Sequence, residues 1–193
     1  MGIFYNMQEK AIIVSAPSGA GKTSIVKQLL LKFPILSFSV SACSRSRRDG
    51  ESDGKDYYFL TADEFREKIE ACEFLEWEEV YPGCYYGTLR SEVRRIWSLG
   101  KVPVFDVDVK GGLSLKKYFK SSGLSIFIQP PSIEILQQRL EIRGTENPEN
   151  LKKRVGKAEY ELTFAGKFDA IVVNEELKIA TDSAFQLVEN FLR

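Results

Sequence analysis

Lys22 and Thr23 close the stretch Ala16-Pro-Ser-Gly-Ala-Gly-Lys-Thr23, directly behind Gly19 and Gly21. An ammonium and a hydroxyl following two glycines suit a chain of phosphates. The glycines let backbone N–H groups turn inward, the ammonium reaches two phosphates, and the hydroxyl is a ligand for Mg2+. The expected phosphate cradle is Ala16, Pro17, Ser18, Gly19, Ala20, Gly21, Lys22, Thr23 and Ser24. Ala16 takes the position where this P-loop pattern begins with Gly, which is tolerable if its φ stays negative.

A second group of residues between Ser41 and Thr88 could read the other substrate. Arg45 and Arg48 can grip a phosphate dianion by forked hydrogen bonds, and Tyr57 and Tyr86 can add hydroxyl donors. Read alone, the arginines fit a solvated loop equally well, and the tyrosines fit a core. Glu76, in Phe74-Leu-Glu-Trp77, is either a solvent-facing strand position or a buried acceptor that needs a donor. Guanine offers two such donors at N1 and N2, and its O6 could accept from Ser41 or Thr88; adenine presents the reverse polarity.

These residues need elements to position them. Ala11 to Val14 reads as a buried strand before the P-loop, and Ile25, Val26, Leu29, Leu30 and Phe33 mark one face of the helix after it, ended by Pro34. Leu36, Phe38 and Val40 alternate as a strand leading into a basic loop. Tyr57 to Leu60 reads as a short strand. Thr61 and Glu64 form a capping box for a helix with Phe65, Ile69 and Cys72 inside, and strands pair around Pro82-Gly83. A helix through Val93 and Ile96 ends at Gly100, and a strand from Val102 to Val109 carries Asp106 and Asp108. A helix from Leu113, a strand from Leu124, a helix capped by Ser132, a polar hairpin tip over 144–150, a second charged helix, a strand from Ala170 and a closing helix complete the chain.

Dense apolar strands alternating with helices give an α/β fold: a P-loop parallel sheet covered by helices on both faces, with a mixed α/β insert and a helical lid. The expected division is core over 1–39, 92–131 and 164–193, insert over 40–91 and lid over 132–163. At 193 residues, with 44% apolar residues and 27 basic against 27 acidic side chains, nothing global points to nucleic acid or membrane. The chain has no His, so no mechanism uses a His base, and the odd cysteines Cys43, Cys72 and Cys84 form no zinc pattern. With neither a signal pattern nor an apolar span, the expected address is cytoplasmic.

In order along the chain, Ser41, Arg45 and Arg48, Gly54-Lys-Asp-Tyr57, Glu76-Trp77, Tyr85-Tyr86-Gly87 and Arg143-Gly-Thr-Glu146 resemble the guanylate kinases. The resemblance covers nearly the whole chain. It implies transfer of the γ-phosphate of ATP to GMP, with Mg2+ as cofactor, dGMP as a further acceptor, and nucleotides as the partners; it is also compatible with a homo-oligomer. The cradle would then hold ATP. Ser41, Glu76, Thr88 and Asp106 would contact guanine, and Arg45, Arg48, Tyr57 and Tyr86 the GMP phosphate. Thr23 and Asp108 would hold the metal, Arg139, Asn174 and Glu175 would lie on the ATP side, and Lys22, Arg45, Arg143 and Arg154 would stabilise the transferring group. Lys110 stands where many members have Gln, and the Val80 to Gly83 turn is one residue longer than in some. Two other readings share the scaffold: a kinase for another phosphorylated acceptor such as a ribose bisphosphate, and a non-catalytic binding module.

Overall fold

Ala11–Ser15, strand β1, is apolar at its first four positions and buried at all five. A strand of that kind belongs inside a sheet covered on both faces. The computed structural model describes residues 9–142 and 148–193 and puts β1 at the centre of such a sheet. The chain continues through α1 (Lys22–Lys32), β2 (Leu36–Phe38), β3 (Ala42–Cys43), β4 (Tyr58–Phe59), α2 (Ala62–Glu70), β5 (Phe74–Tyr81) and β6 (Cys84–Leu89). It then forms α3 (Arg90–Ser98), β7 (Val102–Val107), α4 (Val109–Phe119), β8 (Gly123–Gln129), α5 (Ile133–Ile142), α6 (Pro148–Leu162), β9 (Ala170–Val173) and α7 (Leu177–Leu192).

The main sheet has the order β2-β7-β1-β8-β9 and is parallel throughout. Alternation along β1 divides the core. Ile12 and Val14 pack with Ile25 and Leu29 of α1 and Ala184 and Val188 of α7, whereas Ala11 and Ile13 pack with Val93 of α3 and Leu115 and Phe119 of α4. The chain runs from β1 to β2 on one side of the sheet and places β8 on the other. The carboxyl end of β1 is therefore the reversal point where α/β sheets bind ligands.

A second sheet, ordered β4-β3-β6-β5, is mixed: β3 pairs parallel with β4, and β6 pairs antiparallel with both β3 and β5. Its core is aromatic. Phe65 of α2 stacks on Phe74 at 4.3 Å between ring centroids and on Tyr85 at 5.3 Å. The capping box that starts α2 is present, with Thr61 Oγ1 accepting from the Glu64 N–H and Glu64 accepting from the Thr61 N–H.

Glu92, 2% exposed, ties this layer to the main sheet. It accepts from the Val40 N–H at 3.1 Å, where the chain leaves β2, from the Tyr58 hydroxyl at 2.8 Å, and from the Arg95 guanidinium at 2.8 and 2.9 Å. Burial acts to raise the Glu92 carboxyl, but Arg95, the Val40 N–H and Tyr58 outweigh it and hold the group below the usual carboxylate range.

Several sequence expectations shift. The strand from Leu36 stops at Phe38, because the chain turns toward β3. Cys72 lies outside α2, exposed and at φ 54°, rather than on its inner face. The strand from Val102 ends at Val107 rather than Val109, because Asp108 caps α4 by accepting from the Gly111 N–H at 2.8 Å; that helix thus begins ahead of Leu113. Of the expected hairpin tip, Pro148, Glu149 and Asn150 are helical, since Pro is well suited to a first turn, and 143–147 lie outside the described residues.

Candidate functional site

The P-loop leaves β1 at its carboxyl end and enters α1 at Gly21. Gly19 and Gly21 adopt φ of 94° and 92°, a region that residues with a Cβ rarely enter. The positive-φ non-glycine residues among those described are Glu9, Cys72 and Lys120, so Ala16 keeps the negative φ its methyl group requires. A Cβ on Gly21 would also lie 2.2 Å from Asn174 Nδ2. Gly21 brings no side-chain cap, which leaves the first N–H groups of α1 to an anion.

Two clefts adjoin at this loop. The smaller, about 320 Å3, is lined by Ala16, Pro17, Ser18, Gly19, Gly21, Lys22, Thr23 and Ser24 together with Asp108, Arg154, Lys157 and Glu161. The larger, about 840 Å3, runs from Lys22 and Thr23 between α1 and the second sheet, past Ser41, Tyr57, Tyr86, Asp106 and Asp108 to Glu76 and Glu78. Its volume suits a bound nucleotide. Ala20 is buried beneath the loop, where its carbonyl accepts from Asn174 Nδ2 at 2.7 Å.

Charge is concentrated where the clefts meet. Lys22 Nζ donates to Asp106 Oδ1, and Thr23 Oγ1 donates to Asp106 Oδ2 at 3.2 Å. Burial draws the Lys22 ammonium down to about 8, against the pull of the Asp108 and Glu161 carboxylates. Asp108, by contrast, stands toward Glu76: a Cβ on Gly111 would be 3.0 Å from Glu76 Oε2 and 3.2 Å from Asp108 Oδ1. The structure sets the two carboxylates apart: Asp106 lies against Lys22 and Thr23, and Asp108 lies near Glu76 while also lining the smaller cleft. The cause is the end of β7 at Val107, which leaves Asp106 on the strand beside β1 and turns Asp108 into the cap of α4.

Glu76 and Thr88 are cross-strand partners on β5 and β6, and the Thr88 hydroxyl donates to Glu76 Oε1 at 2.6 Å. Burial lifts the Glu76 carboxyl to about 7; the Thr88 hydrogen bond opposes this, and Asp108 and Glu78 add to it. Glu78, two residues on and therefore on the same face, accepts from Lys110 Nζ at 2.6 Å. Ser41 lines the same cleft, while Thr88 is 1% exposed and acts through Glu76.

Arg45 forks onto Glu51, with Nη1 donating at 2.7 Å and Nη2 at 2.5 Å, and its guanidinium stacks 4.9 Å from the centre of the Tyr57 ring. The Arg45 hydrogen bonds hold the Glu51 carboxyl at about 2, and the Arg48 N–H also donates to it at 2.8 Å. Tyr57 meets Tyr86 edge to face at 5.9 Å. The Arg48 side chain is exposed. This cluster lies in the second sheet and its loop, across the larger cleft from Lys22.

On the opposite side, Arg139 Nη2 of α5 donates to the carbonyls of Asn174 at 3.0 Å and Glu175 at 3.3 Å. Arg139, Asn174 and Glu175 therefore meet beside the P-loop, and the carboxamide of Asn174, 4% exposed, donates to that loop rather than facing outward. Arg154 lines the smaller cleft, and Arg143 lies outside the described residues. Sequence reasoning missed Glu51, Glu78, Lys157 and Glu161. Glu161 and Lys157 had a readable signal, the helical spacing from Arg154; Glu51 sits in an irregular loop and had none.

The guanylate kinase family profile matches residues 8–192. The chain belongs to the guanylate kinase family. It is 50% identical over 186 residues to a guanylate kinase of Bacteroides thetaiotaomicron and 49% identical over 185 residues to one of Bacteroides fragilis, each alignment covering 96% of this chain and 91% of the relative. The crystal structure of guanylate kinase from Anaplasma phagocytophilum superposes with a TM-score of 0.72 at 26% identity, covering 94% of this chain and 85% of that one. Among the described residues, no helix is long and apolar enough to cross a membrane.

Proposed function

We propose that this guanylate kinase family member transfers the γ-phosphate of ATP to GMP, giving ADP and GDP, and accepts dGMP as well. The observation that carries the reading is the acceptor pair Glu76 and Asp108 in the larger cleft, with Glu76 on the second sheet and Asp108 between it and the Lys22 loop. Partly buried carboxylates answer the N1–H and N2–H2 donors of guanine and leave adenine unmatched. Ser41 and the Glu76–Thr88 pair complete the base site. Arg45, Arg48, Tyr57 and Tyr86 bind the GMP phosphate, with Arg45 exchanging Glu51 for it. On the other side, the loop from Ala16 to Ser24 holds the ATP phosphates, and Arg139, Asn174 and Glu175 shape the rim near its base.

Thr23 and Asp106 offer the hard oxygen donors that suit Mg2+, a cation that takes few protein ligands and shares the rest with phosphates. When bound, the metal supplies charge neutralisation across those phosphates. The residues do the rest: Lys22 holds the β- and γ-phosphates, while Arg45, Arg154 and Arg143 offset charge on the transferring group. Asp106 orients Lys22 and Thr23. No side chain need act as general base, because positioning and charge carry this chemistry. The three cysteines, all free, support a reducing cytoplasmic setting.

The test is ADP release by the purified chain with ATP and Mg2+, offering GMP, dGMP, AMP, CMP and UMP in turn. Turnover with GMP and dGMP and little with the others is the expected result. Turnover with none of them, despite ATP binding, would discard this reading in favour of another acceptor or a binding role.

A further inference from the structure

Four residues line both clefts: Lys22, Thr23, Asp108 and Lys157. A group handed from one cleft to the other has to cross between them. Lys22 and Thr23 come from the P-loop and Asp108 from the cap of α4; Lys157 comes from α6, on the other wall. We propose that Lys157 is a further catalytic cation, brought by α6 to the phosphoryl group in transit and held on that path by Glu161. This rests on the ATP-to-GMP reading above.

Spacing and burial support the assignment. Arg154, Lys157 and Glu161 fall at i, i+3 and i+7 of α6, one face of a helix, and all three line the smaller cleft. The adjoining flank of that helix is apolar, with Ala158 1% exposed against Leu136 and Leu140. Glu161 is 8% exposed, and its Oε1 lies 3.6 Å from Lys157 Nζ. That is ion-pair range but longer than a hydrogen bond, and the Lys157 side chain remains 58% exposed. The ammonium is guided by the buried carboxylate without being locked to it.

During transfer, a bond forms from an oxygen of the GMP phosphate to the γ-phosphorus as the bond from that phosphorus to the bridging oxygen of ADP breaks. The electron pair leaves with ADP, and Lys157 keeps its proton throughout. Negative charge on the equatorial and leaving oxygens peaks between the clefts, so a cation there lowers the barrier more than it tightens either substrate. An ordinary helix-surface lysine in an i,i+4 pair would change neither.

The experiment compares wild type, Lys157→Met and Lys157→Arg in steady-state turnover of ATP and GMP with Mg2+. Lys157→Met should lower kcat on the order of 10- to 100-fold while each KM stays within about threefold, and Lys157→Arg should recover most of the loss. A polyphosphate-linked adenosine–guanosine probe should bind Lys157→Met more weakly, with GMP alone binding as in wild type and Tm unchanged. Wild-type kcat in Lys157→Met, or a loss confined to Tm or to the KM for GMP, would overturn the proposal. A wild-type chain that turns over no GMP would remove the functional reading itself, and the proposal with it, a result distinct from a defect of the variant alone.

Discussion

Burial lifts the Glu76 carboxyl to about 7, and the base-reading role asks for its ionised form. Below that pH the added proton is a donor facing donors on guanine. The kcat/KM for GMP should therefore fall as pH drops from 8 to 6, and a flat profile over that range would sink the assignment. Stability responds in the opposite direction. The folded group titrates near 7 and the unfolded one near 4.5, so the folded state binds more protons and loses stability as pH rises between them. Above 7 the ionised carboxylate opposes folding by on the order of 3 kcal/mol. Glu76→Gln should raise Tm at pH 8 more than at pH 5 and still cut kcat/KM for GMP by about 100-fold or more. Glu76 was legible as a carboxylate among large apolar residues with Thr88 within reach. The different surroundings of Asp106 and Asp108 were not legible, because two residues apart on a strand share a face, and only the end of β7 at Val107 separates them.

The elements were mostly readable from periodicity: β1, α1, α2 with its capping box, the β5 and β6 pair, and α7 all lie where the apolar spacing puts them. The short strand β4 was read within Tyr57 to Leu60, but the two-residue strand β3 was not, since pairing rather than local preference creates it. Glu92 was hidden for a related reason. In sequence it is an ordinary acid in the first turn of α3, and its value comes from Val40 and Tyr58, both distant along the chain. Glu92→Leu would leave the Val40 N–H and the Tyr58 hydroxyl without this acceptor and cost about 2–4 kcal/mol, readable as a lower urea midpoint. Because Val40 is where the chain passes from the ATP-side sheet to the second one, the variant should raise the KM for GMP more than that for ATP. Equal changes in both would show that Glu92 supports the fold without bearing on the GMP side.

At the scale of the whole molecule, the parallel sheet with helices on both faces was legible from the alternation of dense strands and helices, and the second sheet from the cluster of short strands after Val40. How the clefts join was not, because it depends on α6 facing the P-loop across one cleft, more than a hundred residues apart in sequence. The molecule balances 27 basic against 27 acidic side chains, and the guanidinium best set to meet a phosphate is already forked onto Glu51. An incoming GMP dianion thus meets little long-range attraction and binds by replacing one anion with another. Encounter rates that depend on steering fall steeply with ionic strength. Here kcat/KM for GMP should change by less than about threefold between roughly 0.05 and 0.5 M salt, whereas Glu51→Gln, which unmasks Arg45, should make the same constant markedly salt-sensitive. Such an enzyme would collect its acceptor at much the same rate in dilute and in concentrated electrolyte.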